Sequence, residues 1–242
     1  MKKIVAIGGG EIGRPGYSIE TAKIDKEIIK LSGKKRPKFL FIPTASLDAD
    51  GYVKVVNNYF GKKLGCAIDV LYLVNKKISY QGIKNKILSS DIIYVGGGNT
   101  FKMLKLWRKL GVDKILAVTY KKGIILSGVS AGAICWFKHG HSDSRKFNNR
   151  NAAYIKVRGL GFINTLICPH YNIEKDRKKS LKDIIKKEKI FGIALDNCAA
   201  LEIIDNKYRV ITSKHGANAY KVYWQEGRYH EEKIESGSFF HL

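Results

Sequence analysis

The stretch Ile124-Ile125-Leu126-Ser127-Gly128-Val129-Ser130-Ala131-Gly132-Ala133 decides how this chain is read. It opens as a short, continuous apolar run, which suits a strand buried on both faces of a parallel sheet. It closes on small residues, with Gly128, Ser130 and Gly132 in G-x-S-x-G spacing and a helix expected over 131–137. A strand turning so sharply into a helix needs small flanking residues and pushes the central side chain out at the carboxyl edge of the sheet. Ser130 is therefore the candidate nucleophile, and the backbone N–H of Ala131 is a candidate oxyanion donor.

The same alternation runs outward from that turn. Segments 3–9, 38–43, 68–74, 91–97 and 123–129 read as buried strands. Segments 18–31, 52–64, 100–110 and 113–121 carry apolar residues at helical spacing, with Tyr52, Val55, Val56, Tyr59, Phe60 and Leu64 forming one such face. Thr100 and Asp113 are expected N-caps, and Gly111 and Gly123 expected helix stops. This order predicts the α/β class: a three-layer α/β/α sandwich with a mostly parallel central sheet, doubly wound. After Gly159, GFINTLICP and FGIALD read as two more buried strands around a basic helix at 174–188. Two hairpins, turning at Asp205-Asn206 and Glu226-Gly227, are expected to extend one edge of the sheet. With no linker, repeat or low-complexity stretch, residues 1–242 read as a single domain.

Two further segments bear on chemistry. In Tyr94-Val95-Gly96-Gly97-Gly98-Asn99-Thr100, three glycines follow a strand, so backbone N–H groups there can approach a ligand with no Cβ in the way. Gly97 or Gly98 could supply a second oxyanion donor, and Asn99 could hydrogen-bond a substrate. An activated serine needs a base, and of six histidines only His170 ends an apolar strand, in Leu166-Ile167-Cys168-Pro169-His170. For the acid that orients it, Asp196 at the end of another buried strand and Asp143 in a polar loop both stand open, the strand-end position being the more rigid.

Composition bounds the rest. The 44 Lys and Arg against 21 Asp and Glu give a formal charge of +23, but the lysine pairs are scattered, as on a solvated surface, and no specific nucleic-acid partner is expected. Such a surface would still draw in acidic peptides. No run approaches the roughly 18–20 apolar residues of a membrane span. The N-terminal apolar run, Ile4 to Ile7, is too short for a secretory signal, so the expected compartment is the cytoplasm. The four cysteines show no metal spacing and read as buried, reduced thiols; no metal or cofactor is expected.

G-G-G-N-T at 96–100, G-V-S-A-G-A at 128–133, C-P-H-Y at 168–171 and the strand ending at Asp196 together resemble the serine peptidases that include aspartyl dipeptidase (dipeptidase E) and cyanophycinase. The resemblance covers Met1 to about Tyr223. It implies a fold like that of class I glutamine amidotransferases, with serine in place of their cysteine. It also implies Ser130 as nucleophile, His170 as base, Gly98 and Ala131 as oxyanion donors, and a carboxylate at Asp196 or Asp143. The substrate it implies is a small peptide, and a preference for N-terminal aspartate would need a positioned arginine, for which Arg177 is the candidate. The enzyme would act as a monomer or homodimer.

Two other readings compete. Gly8-Gly9-Gly10-Glu11-Ile12-Gly13 fits the dinucleotide fingerprint G-x-G-x-x-G, but the second strand ends Ile42-Pro43-Thr44, without the acid that would hold a ribose. The other is an inactive binding module on the same fold. A cysteine-based amidotransferase is disfavoured because the elbow carries Ser130, with Cys135 a helical turn further on.

Overall fold

A computed structural model of the chain describes residues 1–173 and 175–241. The five early apolar runs form β1 (Lys3–Ile7), β2 (Lys38–Ile42), β3 (Ala67–Val70), β4 (Ile92–Val95) and β5 (Ile125–Val129), parallel to one another in the order β1-β5-β4-β2-β3. Strand residues alternate between faces, and here both faces are covered. Ile4, Ala6, Leu40, Ile42, Ile93 and Val95 enter one core, while Val5, Ile7, Phe39, Phe41, Ile92 and Tyr94 enter the other.

The second of these cores is closed by α1 (Ala22–Lys30) and α2 (Asp50–Val56), which runs on into a π-helical segment, Asn57–Lys63. The first is closed by α3 (Tyr80–Leu88), α4 (Thr100–Leu110) and α5 (Val112–Lys122). The α/β layering expected from the sequence is therefore present. Gly111 and Gly123 end their helices in the left-handed conformation, at φ 72° and 79°. The caps differ from expectation: Asn99, not Thr100, caps α4, and Asp113 sits inside the first turn of α5 behind Gly111.

The larger departure begins after Ser130. The helix expected over 131–137 stops early, as α6 (Ala131–Ile134), and Phe137 starts β6 (Phe137–Ser142), which pairs with β7 (Ile155–Arg158). The expected strands at GFINTLICP and FGIALD are β8 (Ile163–Cys168) and β9 (Gly192–Leu195), but they pair with β6 and with each other in a second sheet, separate from β1–β5. The basic helix between them is α7 (Lys175–Glu188); residue 174, its expected start, lies outside the described residues.

The two late hairpins turn where expected but diverge. β10 (Ala199–Ile204) and β11 (Lys207–Thr212), with β14 (Phe240–His241), extend the first sheet beside β1. β12 (Ala219–Gln225) and β13 (Arg228–Lys233) extend the second sheet beside β9. One face of this second sheet, through Val157, Ile163, Ile167 and Ile193, packs into the core that holds Ile4. Its other face, through Leu166, Cys168, Ala194 and Val222, is covered by Leu181 and Ile185 of α7. Among the described residues, no helix is long and apolar enough to cross a membrane.

One polar group is buried in the α1 layer. Asp25 is fully enclosed, with the Thr21 hydroxyl donating to its Oδ2 at 2.7 Å and Tyr59 beside it. Burial disfavours the carboxylate and pushes Asp25 up to about 7, against the lowering from its hydrogen bonds. The folded state thus keeps this proton to higher pH than the unfolded chain, so stability falls as pH rises from about 4, the ordinary Asp value, to about 7. Asp25→Asn carries no such proton. Thermal melts of both proteins should agree below about pH 4, with the variant more stable at pH 8 by at least ~2–4 °C, the shift given by 1 kcal/mol in a chain of this size. Parallel Tm curves across the range would refute the assignment.

Candidate active site

The site is assembled from the backbone outward. Ser130 follows β5 with φ 57° and ψ −109°, a strained conformation for any residue but glycine, and its N–H donates to the Ile7 carbonyl at 3.0 Å. The flanking glycines are forced by close approach. A Cβ on Gly128 would lie 2.6 Å from the Gly132 carbonyl oxygen, and one on Gly132 would lie 2.0 Å from that of Val95. The serine is consequently lifted to the carboxyl end of β5, as the motif predicts.

The next two carbonyls of the same strand end hold the other parts. The His170 N–H donates to Gly8 at 3.0 Å, and the Cys198 N–H donates to Gly9 at 2.8 Å. Both donors again have positive φ, 54° and 65°. Between them in space, His170 Nδ1 lies 2.7 Å from Asn197 Oδ1. A Cβ on Gly9 would sit 2.1 Å from that oxygen and 2.5 Å from Nδ1, so the glycine is what admits the pair. Gly8 likewise passes within 2.3 Å (as a Cβ) of the Asp196 carbonyl oxygen. These glycines serve packing, and α1 begins only at Ala22, so the segment lacks the strand-to-helix turn of a dinucleotide site.

Of the two candidate acids, neither meets Nδ1. Asp196 is buried but faces the other way, its Oδ2 accepting the Asn218 N–H at 3.0 Å, because successive residues leaving β9 point to opposite sides. Burial raises its pKa. Asp143 lies after β6 with Oδ2 3.8 Å from Arg177 Nη2. Arg177 is only 1% exposed and its guanidinium stacks 4.7 Å over the Tyr154 ring, so it is built into the protein beside Asp143 rather than offered to a substrate. The Asn99 side chain accepts the Lys102 N–H and donates to the Ser144 carbonyl, both at 3.0 Å. Gly97 lines the cleft beside Ser130, with room for a Cβ 3.5 Å from that of Ser130.

Burial holds His170 below the ordinary histidine pKa. The bond to Asn197 opposes this, the Arg177 charge adds to it, and the Asp143 charge opposes it. The cleft in front of Ser130 and His170 has a volume of about 890 Å³ and is walled by Glu11, Arg14, Tyr52 and Lys54, together with Gly97 and Gly98. Arg14 and Glu11 pair at 2.8 Å. Among the described residues, no cluster of His, Cys, Asp and Glu could hold a metal ion. Asn197 escaped the sequence reading because attention fell on its acidic neighbour; the signal available was its place next to a strand end already facing His170.

A strained serine at a strand end and a histidine lining the same cleft are the parts that a hydrolase of the serine peptidase class needs. The chain belongs to peptidase family S51, whose profile matches residues 4–211. It is 36% identical to the uncharacterized peptidase YgaJ of Bacillus subtilis (strain 168) over 230 residues, 93% of this chain and 94% of that one. It is 34% identical over 181 residues to the uncharacterized peptidase PM1590 of Pasteurella multocida (strain Pm70), covering 72% and 84%. In fold it is similar to the crystal structure of a peptidase from an acI-B1 Actinobacterium, with a TM-score of 0.73 at 19% identity over 100% and 97% of the two chains.

The tightness behind His170 is testable. In Gly9→Ala the new methyl must displace His170 or Asn197, and a misplacement of about 1 Å costs about 10²-fold in rate. Fluorophosphonate labelling and peptide turnover should fall together by about that factor; unchanged rates would show that the glycine is not needed.

Proposed function

We propose that this peptidase hydrolyses short peptides, including Asp-containing ones, through an acyl-enzyme on Ser130 with His170 as general base. The observation that carries the reading is that Ser130 and His170 line one cleft, each with its N–H fixed on a carbonyl at the end of β1. Ser130 attacks the scissile carbonyl while His170 takes its proton; the N–H groups of Ala131 and Gly98 receive the oxyanion. His170 then protonates the leaving amine, and water releases the acyl group. Gly98 is taken as the second donor because it lines the cleft in the left-handed region, at φ 137°. The cleft itself carries both signs, Lys54 and Arg14 with Glu11 and Glu20, so the preference for acidic peptides rests on the excess of lysine over the whole surface. Four buried free thiols accord with a cytoplasmic setting.

Ser130→Ala and His170→Ala should each lower kcat by about 10⁴ or more, and only the wild type should label at residue 130 with a fluorophosphonate. Cleavage of a dipeptide library without labelling, or labelling that survives Ser130→Ala, would overturn the acyl-enzyme.

The base must be neutral to act, and its pKa is lowered. Activity is therefore present above that value and lost as pH falls through it, so the acid limb of kcat/KM should have its midpoint below about 6.5, the ordinary histidine value. A midpoint above 6.5 would contradict the burial argument. On Asp- or Glu-containing peptides the rate should also fall as salt rises, since screening weakens the attraction; a salt-independent rate would remove the charge argument.

A further inference from the structure

We propose that Asn197 is the positioning residue of His170, and that it orients the imidazole without contributing a charge. The inference rests on the reading of His170 as base. Neutral imidazole carries one proton, and the nitrogen facing an acceptor is the one that keeps it. Asn197 Oδ1 lies 2.7 Å from Nδ1, which favours the tautomer whose Nδ1–H donates to it and leaves Nε2 bare to take a proton in the proposed reaction. The reverse arrangement, with the amide NH₂ toward Nδ1, would place the proton on Nε2 and abolish the base.

Three features hold Asn197 in this place. Its own N–H donates to Asn172 Oδ1 at 3.0 Å; the next residue, Cys198, is pinned through its N–H to the Gly9 carbonyl; and Gly9 leaves no side chain between the amide and the ring. Neither candidate carboxylate is hydrogen-bonded to the imidazole among the described residues. Asp196, one residue earlier, is turned to the Asn218 N–H, and Asp143 is held by Arg177. The charges that bear on His170 are those of Arg177 on α7 and of Asp143 after β6, and they oppose one another. A carboxylate in place of the amide would add a negative charge at hydrogen-bond distance and favour the imidazolium. The amide does not, so the base survives to lower pH than it would beside an acid.

The test uses the full chain and the near-isosteric Asn197→Asp, with Asn197→Ala alongside. Asn197→Asp should raise the acid-limb midpoint of kcat/KM by about 1–3 pH units while the protein stays folded and labels at Ser130. Asn197→Ala should lower kcat by about 10²-fold with KM little changed, because orientation rather than binding is lost. Long-range ¹H–¹⁵N spectra of histidine-labelled wild type, with the His170 signal assigned by its absence in His170→Gln, should show the proton on Nδ1 above the acid limb. An unmoved acid limb in Asn197→Asp, or a proton on Nε2 in the wild type, would overturn the proposal. Failure of the wild type to label with fluorophosphonate would instead strike at Ser130, and the spectrum would still decide the tautomer.

Discussion

Everything at the site depends on three consecutive carbonyl groups. At the end of β1 the oxygens of Ile7, Gly8 and Gly9 accept the N–H groups of Ser130, His170 and Cys198 in turn. The first bond continues the parallel β1–β5 ladder by one residue. The second crosses to the segment after β8, which belongs to the other sheet. The third fixes the loop that leads into β10. One strand end thus ties two sheets together and sets serine, histidine and asparagine in register without help from any side chain of its own.

This arrangement has a conformational cost. Ser130, His170 and Cys198 all have positive φ, each at about 1–3 kcal/mol for a residue with a Cβ. Such strain persists only where the surroundings over-determine it, and here each strained residue has its N–H bound and its neighbours packed. Gly8, Gly9, Gly98, Gly128 and Gly132 are the steric counterpart: they let backbones approach where any Cβ would collide. Electrostatics then completes the site. Burial and the Arg177 charge lower the His170 pKa, while the hydrogen bond to Asn197 and the Asp143 charge oppose them.

Much of this was legible in the sequence, for physical reasons. A strand buried on both faces must be apolar along its length, so β1, β2, β4, β5 and β9 are plain in the sequence. Steric demand wrote the elbow as small residues around Ser130, and His170 stood out as the histidine that ends such a strand. What stayed hidden lacks an apolar run. Strand β6 reads Phe-Lys-His-Gly-His-Ser and β7 Ile-Lys-Val-Arg, and helix α3 buries only Ile83 and Ile87. The division into two sheets was hidden too, because buried strands record how apolar their environment is and not which neighbour they pair with. Asn197 was hidden by chemistry: a charged residue next to it drew the role, and only the alternation of side chains past β9 shows which of the two reaches the imidazole.

Because Ser130 and His170 hang from main-chain oxygens, the walls of the cleft are free to vary. Glu11, Arg14, Lys54 and Asn58 line it from a loop and from α2 with its π-helical extension, and none of them holds the serine or the histidine in place. Selection can therefore rewrite these positions, and so the choice of peptide, without disturbing the geometry of bond cleavage. The lineage can diversify its diet while inheriting its chemistry unchanged, and libraries randomised at those wall positions offer a route to new specificities on the same scaffold.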